Sequence, residues 1–281
     1  MLTTTPGLRI LGPADLPQVQ SLLGRDPVTN VFVDYRVRMT GLDPRWLGGE
    51  MWGYVEDGEL VSLCHAAANL VPVEATSQAL EVFAARALAR GRTCSSIVGP
   101  QPAVAEFWDA VQPWWGPARL VRDAQPFMTI DTAPAVAPDP GVRRVEPDEF
   151  EILYPACVDM FTEEVGVSPE AGGGRDLYQT RVRQLISKGL AFARIENGRV
   201  LFKAEIGAVT PHACQVQGVW VHPARRGEGL SVPGMATVAE MAMQDIAPVV
   251  TLYVNAHNVA ARRSYERVGF VETCAFTTIL F

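Results

Sequence analysis

Six residues near the C-terminal third carry the clearest chemical signal: Arg226, Gly227, Glu228, Gly229, Leu230 and Ser231. They follow the apolar, β-branched run CQVQGVWVHP, which begins at Cys214 and ends at Pro223. They precede a stretch in which Val238, Met241 and Ala242 recur at helical spacing. A strand, a glycine loop and a helix in this order aim backbone N–H groups and a helix N-terminus at an anion, above all a phosphate. Gly227 and Gly229 allow close backbone approach and positive φ. Ser231 is expected to cap the helix, and Pro233 is tolerated in its first turn, where a missing N–H has no intrahelical partner to lose. The loop is not GxxxxGK[ST], which excludes a Walker-type nucleoside triphosphatase. GxGxxG also fails, since Gly227 and Gly229 are followed by Pro233 and Gly234 rather than by a glycine at 232. Taken alone, a GxG loop is also compatible with a plain structural turn.

A second constellation lies about thirty residues further on, in LYVNAHNVAARRSYERVGF. The two stretches together resemble the signatures of the GNAT superfamily of acyl-CoA N-acyltransferases. VWVHPARRGEGLS is similar to that family's Arg/Gln-x-x-Gly-x-Gly/Ala loop, with Arg226, Gly229 and Ser231 in the pattern and Ser in place of the usual Gly or Ala. Asn258, Ala261, Tyr265, Gly269 and Phe270 fill the second signature. The resemblance covers residues 142–281, and it implies acetyl-CoA as co-substrate. Arg225, Arg226, Gly227, Glu228, Gly229, Leu230 and Ser231 would cradle the pyrophosphate. Val219, Trp220 and Val221 would pair with the pantetheine amides as a splayed strand. Asn258, with Ala261 on the following helix, would hold the pantetheine arm. Tyr265 would protonate the departing thiolate, and a backbone N–H of the splayed strand would polarise the thioester carbonyl.

The implied activity is N-acetyl (acyl) transfer to a primary amine of a small-molecule or protein acceptor, by direct attack in a ternary complex. The base is less determined. Family members often carry a carboxylate on the central strand, which here bears Gln215 and Gln217; Glu205 in LFKAEIGAV is the nearest alternative. Glu163 and Glu164 form a second acidic pair where the acceptor site is shaped, and a water chain is a third option. Each residue also has a plainer reading. Tyr265 could pack a helix on a sheet, Glu205 could be a solvated strand residue, and Glu163-Glu164 a solvated helix end. A non-catalytic acyl-CoA-binding sensor or regulatory module is the competing function.

These residues need elements to position them. Pro134, Pro138 and Pro140 make 132–141 a linker, dividing a first domain, 1–131, from a second, 142–281. The halves repeat faintly. Both open on a short strand leading to a proline, an acid and a helical stretch. Both then carry a hairpin signal, Asp57-Gly58 and Asn197-Gly198. Both end on a strand running into a helix. The expected fold is α/β (α+β), with two GNAT-like domains, each a mixed, mostly antiparallel sheet flanked by helices; the resemblance implies a tandem form of actinobacterial type with a degenerate first copy. The span Gly58 to Ile97 is shorter than Gly198 to Val254 by about one strand plus a loop. The first half is therefore expected to lack that strand and the glycine loop.

Bulk composition bounds the rest. The chain has 281 residues, 48% apolar and 20% charged, which predicts packed domains rather than disorder. A net charge of −7 argues against general nucleic-acid binding and suits a cationic acceptor. The N-terminus lacks a basic-then-apolar leader, and no run nears the roughly 18 apolar residues of a membrane span. A cytoplasmic protein without membrane attachment is expected, as a monomer or homodimer. Five scattered cysteines without CxxC spacing predict no disulfide framework. His212, Cys214 and His222 fit no zinc spacing, so no metal is expected. Trp108, Trp114 and Trp115 read as packing residues.

Overall fold

A computed structural model describes residues 7–281; Met1–Pro6, part of the segment read above for a leader, lie outside the described residues. The first half runs β1 (Leu8–Leu11), α1 (Leu16–Leu23), α2 (Val31–Thr40), α3 (Pro44–Leu47), β2 (Glu50–Glu56), β3 (Glu59–Ala66), β4 (Asn69–Val73), α4 (Ser77–Arg90), β5 (Ser96–Pro100), α5 (Gln101–Trp115) and β6 (Leu120–Ile130). The second half continues with β7 (Val142–Arg144), α6 (Phe150–Val165), α7 (Arg175–Ser187), β8 (Ala191–Glu196) and β9 (Arg199–Val209). It ends with β10 (Ala213–Val221), α8 (Ser231–Asp245), β11 (Val249–Tyr253), α9 (Val259–Val268) and β12 (Val271–Leu280).

The hairpins form where Asp57-Gly58 and Asn197-Gly198 permit them. Asp57 and Gly58 take φ of 49° and 86°, Asn197 and Gly198 50° and 72°. Two consecutive positive φ values make the turn whose twist matches the flanking strands. Each hairpin then carries the same irregularity, between Tyr54 and Val55 in one and between Arg194 and Ile195 in the other. The repeat read from sequence is thus reproduced down to the register.

The chain forms two compact units, and they do not follow its two halves. The first takes the chain up to Phe127 together with Tyr253–Asn258 and Glu272–Phe281; the second takes Met128–Leu252 and Val259–Val271. In the first unit the strand order is β1-β2-β3-β4-β5-β12-β6. The early strands are antiparallel, β4 and β5 are parallel, and β12 pairs antiparallel with β5 from Phe276↔Pro100 to Leu280↔Ser96. The final strand of the second half therefore completes the sheet of the first unit. Its Phe276, Thr277, Thr278 and Ile279 are buried there, and it covers a β5 edge that would otherwise present unpaired backbone groups. In the second unit the order is β11-β10-β9-β8-β7, antiparallel except for the parallel β10–β11 pair.

One expectation needs correction. The first half has not lost a strand: β4 occupies the place that β10 holds in the second unit, but it is short and runs through Glu74 and Ala75 straight into α4. Shortened strands and an absent glycine loop together make up the missing length. Thr76 caps α4 by accepting from Ala79 N–H at 3.2 Å, so that helix end is closed by its own side chain.

Packing follows the amphipathic stripes. In the first unit α4 and α5 bury Leu80, Phe83, Ala84, Phe107 and Val111 against Trp52 and Ile279. The opposite face packs Leu22, Leu23, Val33 and Val37 on Met51 and Leu63. Each large side chain so buried contributes about 1.5–3 kcal/mol. Trp108 is buried in this core, but Trp114 is 77% exposed, so only part of the tryptophan cluster is packing. In the second unit α6 and α7 set Phe150, Leu153, Met160, Val182 and Ile186 against one sheet face. Helix α8 lies against the other, so close that a Cβ on Gly234 would stand 2.9 Å from the Phe202 ring. All five cysteines are free thiols, and no helix among the described residues is long and apolar enough to cross a membrane.

Candidate functional site

The second unit contains a sheet opening. Strand β10 is in register with β11 only at Ala213↔Val249, Cys214↔Val250 and Gln215↔Thr251, yet it continues to Val221 while β11 continues to Tyr253. Beyond Gln215 the two strands part. The pairing of β10 with β9 is interrupted at the same point, with a register shift between Gln217 and Trp220. This bulge is built on Gly218, whose φ is +60°. A Cβ there would also come within 2.9 Å of Met160 Cε and 3.1 Å of Glu205 Cδ. Glycine is required twice over, for conformation and for space.

Past Val221 the chain makes a single 3-10 turn, Pro223–Arg225, held by Ala224 N–H donating to His222 Nδ1 at 3.2 Å. Gly227 and Gly229 follow at φ +85° and +82°, with nothing within 4 Å of an added Cβ. They serve the backbone path and not close packing. Arg225 bonds Glu228 within the loop at 2.6 Å. Arg226 ties the loop down, its Nε donating to the Val221 carbonyl at 3.1 Å and its Nη2 to Glu163 Oε2 at 2.6 Å. Leu230 leads directly into α8. Ser231 is not the cap expected of it: it is the first helical residue, and its hydroxyl shares a 2.9 Å bond with that of Ser264 on α9. No side chain among the described residues caps α8; Val232 N–H donates to the Gly229 carbonyl at 3.3 Å and Pro233 has no N–H, so what this helix end offers an anion is chiefly the positive end of its dipole.

Glu205 lies on β9, opposite Gln217 across the bulged pair. It is 6% exposed, which removes the reading of a solvated strand residue. Gln217 Nε2 donates to Oε1 at 2.8 Å, Lys203 Nζ stands 3.5 Å from Oε2, and Arg181 Nη2 on α7 stands 3.6 Å from Oε1. Burial pushes this carboxyl up, but the Lys203 and Arg181 charges and the Gln217 bond outweigh it and hold its pKa below the ordinary value. Glu205 is therefore a buried carboxylate, not a buried acid.

Tyr265 sits on α9, buried, with its ring 6.0 Å from that of Phe270. Burial, with the nearby Glu164 charge added, pushes its phenol well above the usual range, so the proton stays on. Ala261 is one turn earlier on the same helix. Asn258 belongs to the Tyr253–Asn258 stretch of the first unit, where its N–H donates to the Asn255 carbonyl at 2.9 Å. Glu163 and Glu164 end α6. The Glu163 carboxylate is engaged by Arg226 and by Trp220 Nε1 at 3.4 Å, which links α6 to the glycine loop. Val219, Trp220 and Val221 close β10 beyond the bulge, with the Trp220 ring buried among α6 side chains. No group of His, Cys, Asp and Glu among the described residues could hold a metal ion.

Sequence reasoning passed over Lys203, Arg181 and Gly218. Lys203 and Glu205 stand two apart on one strand, so the alternation of LFKAEIGAV already places them on one face. A glycine inside VQGVW is a bulge signal. Nothing local marks Arg181.

Residues 163–270 match the model of the acetyltransferase (GNAT) family. This part of the chain is a GNAT acetyltransferase domain. Residues 49–153 match a second model, a domain of unknown function, DUF4081. A GCN5-related N-acetyltransferase from Sphaerobacter thermophilus superposes with TM-score 0.62 at 19% identity, covering 97% of this chain and 95% of that one. A tandem GNAT protein from the clavulanic acid biosynthesis pathway gives 0.56 at 16%, covering 97% and 98%. A GNAT-family acetyltransferase from Colwellia psychrerythraea gives 0.56 at 12%, covering 98% and 99%. The fold of the whole chain is thus that of tandem GNAT proteins, with the GNAT domain second. No curated protein matches the chain.

Proposed function

We propose that the GNAT domain transfers an acetyl (acyl) group from acetyl-CoA to a primary amine, by direct attack while both substrates are bound. The observation that carries this reading is continuous: β10 parts from β11, bulges at Gly218, and delivers the chain through two positive-φ glycines to an uncapped helix N-terminus. An opened strand edge suits the peptide-like amides of pantetheine at Val219–Val221. The loop Arg225–Ser231 and the first turn of α8 suit its pyrophosphate. One donor site per chain is expected, because the corresponding helix of the first unit, α4, is closed by Thr76 and has no glycine loop before it.

The amine would attack the thioester carbonyl, and the C–N bond forms as the C–S bond breaks. Tyr265, which keeps its proton, supplies it to the leaving thiolate. Glu205 attracts the acceptor's ammonium. Its lowered pKa makes it a weak base toward a free ammonium. Attack therefore proceeds through the neutral amine, whose first proton leaves to solvent, and Glu205 then takes the second proton from the nitrogen of the tetrahedral adduct, which is far more acidic.

Thiol release from acetyl-CoA across a chemically varied set of primary amines tests the reading. Turnover with at least one class supports it. Tight binding of CoA without thiol release for any amine overturns it in favour of a sensor.

A further inference from the structure

The backbone of β10 turns its groups alternately to two sides. His222 N–H donates to the Leu201 carbonyl on β9 at 2.9 Å, so Trp220, two residues earlier and paired with Lys203, also faces β9. Val219 and Val221 face the other way, and the Val221 carbonyl is met there by Arg226. The Val219 N–H therefore points to the side on which β10 has left β11. That N–H and the Gly218 carbonyl are opposite ends of one planar peptide and point in opposite directions. Lys203 Nζ donates to the Gly218 carbonyl at 2.9 Å.

Lys203 is an unusual side chain for this place. It is 1% exposed, with Glu205 Oε2 at 3.5 Å and Cys157 of α6 close by. An ammonium taken out of water at this depth costs several kcal/mol unless its partners are well placed, and an aliphatic side chain would fill the same volume without that cost. The Gly218 peptide it grips is also the one part of β10 that neighbouring strand pairing does not hold, since it lies within the register shift.

We propose that Lys203, by holding the Gly218 carbonyl, fixes the Gly218–Val219 peptide so that the Val219 N–H faces the thioester carbonyl oxygen of the acyl donor. Lys203 is then a positioning residue of the oxyanion site, and Gly218 is the hinge it locks. The inference rests on the acyl-transfer reading of the opening between β10 and β11.

The test is the infrared band of an isotope-labelled thioester carbonyl in acetyl-CoA bound to the full chain, read alongside donor affinity and turnover. Wild type should lower the carbonyl frequency relative to free acetyl-CoA. In Lys203→Met the bound donor should return to the free position, with affinity changed less than about threefold and kcat down roughly 100-fold. Lys203→Gln, which keeps an N–H donor, should recover part of the shift. A purely structural lysine would alter stability and leave the band in place, and a wild-type-like shift in bound Lys203→Met overturns the proposal while the acyl-transfer reading stands. Should Lys203→Met fail to fold, Lys203→Gln decides: an intermediate band supports the proposal, an unchanged one overturns it. A wild-type chain that binds no acetyl-CoA overturns the reading itself.

Discussion

Glu205 and Tyr265 are both buried and are held in opposite charge states, the carboxyl ionised by its cationic neighbours and the phenol kept protonated by burial. Tyr265→Phe should lower kcat on the order of 100-fold with acetyl-CoA affinity little changed, as read by steady-state thiol release and calorimetry. Glu205 has a folded pKa below its ordinary 4.5. Its contribution to stability is therefore complete above pH 4.5 and is lost as pH falls toward the folded value. His65 acts in the same sense over another window. Buried on β3 and near the Arg36 charge, its pKa is lowered from 6.5 to about 4, chiefly by burial. Unfolding takes up a proton across that interval, so the first unit should lose stability as pH falls from 6.5 to about 4, and His65→Leu should flatten that slope in pH-resolved thermal melts. Tyr265 could be singled out as a candidate acid because its spacing from Asn258 and Gly269 is local in the chain. Arg181 was not, because its approach to Glu205 depends on how α7 packs. Lys203 was visible in the alternation of β9 but passed over, since lysine is so seldom buried.

At the level of elements, hairpins and loop glycines were readable because turn chemistry is written in two or three adjacent residues. The boundaries of β4 were not, because Asn69–Val73 is a strand through its pairing with β3 and β5. Ser231 shows the same limit: its type fits a cap, but the contact with Ser264 on α9 takes its hydroxyl elsewhere. The register of the two hairpins sets His65 opposite Met51 just as Glu205 stands opposite Ala191. A neutral imidazole thus occupies in the first unit the place of the ionised carboxylate in the second. Gly227 and Gly229 have open space around them, so only their φ limits substitution. Gly229→Ala should cost about 1–2 kcal/mol in the loop conformation, raising the KM for acetyl-CoA roughly tenfold with Tm nearly unchanged.

At the scale of the molecule, the linker at 132–141 marks a real break in sequence but not the limit of the first unit, because β12 lies beside β5. No local pattern in ETCAFTTILF says that the strand will join β5 in the sheet of the first unit. Ile279 packs in the core of the first unit, so Ile279→Ala should cost about 2–5 kcal/mol and reduce hydrogen-exchange protection in β5 before β8 and β9. A protease nick within 132–141 should leave two fragments that co-elute under native conditions and separate in denaturant. The strand exchange also sets a timetable for synthesis. The partner of β5 emerges from the ribosome roughly ten to thirty seconds after β5 itself at usual elongation rates, and for that interval the nascent first unit carries an open apolar strand edge. A chain that stalls after α8 would be prone to pair through that edge with a second nascent copy, so closure of the first unit waits on the synthesis of β12.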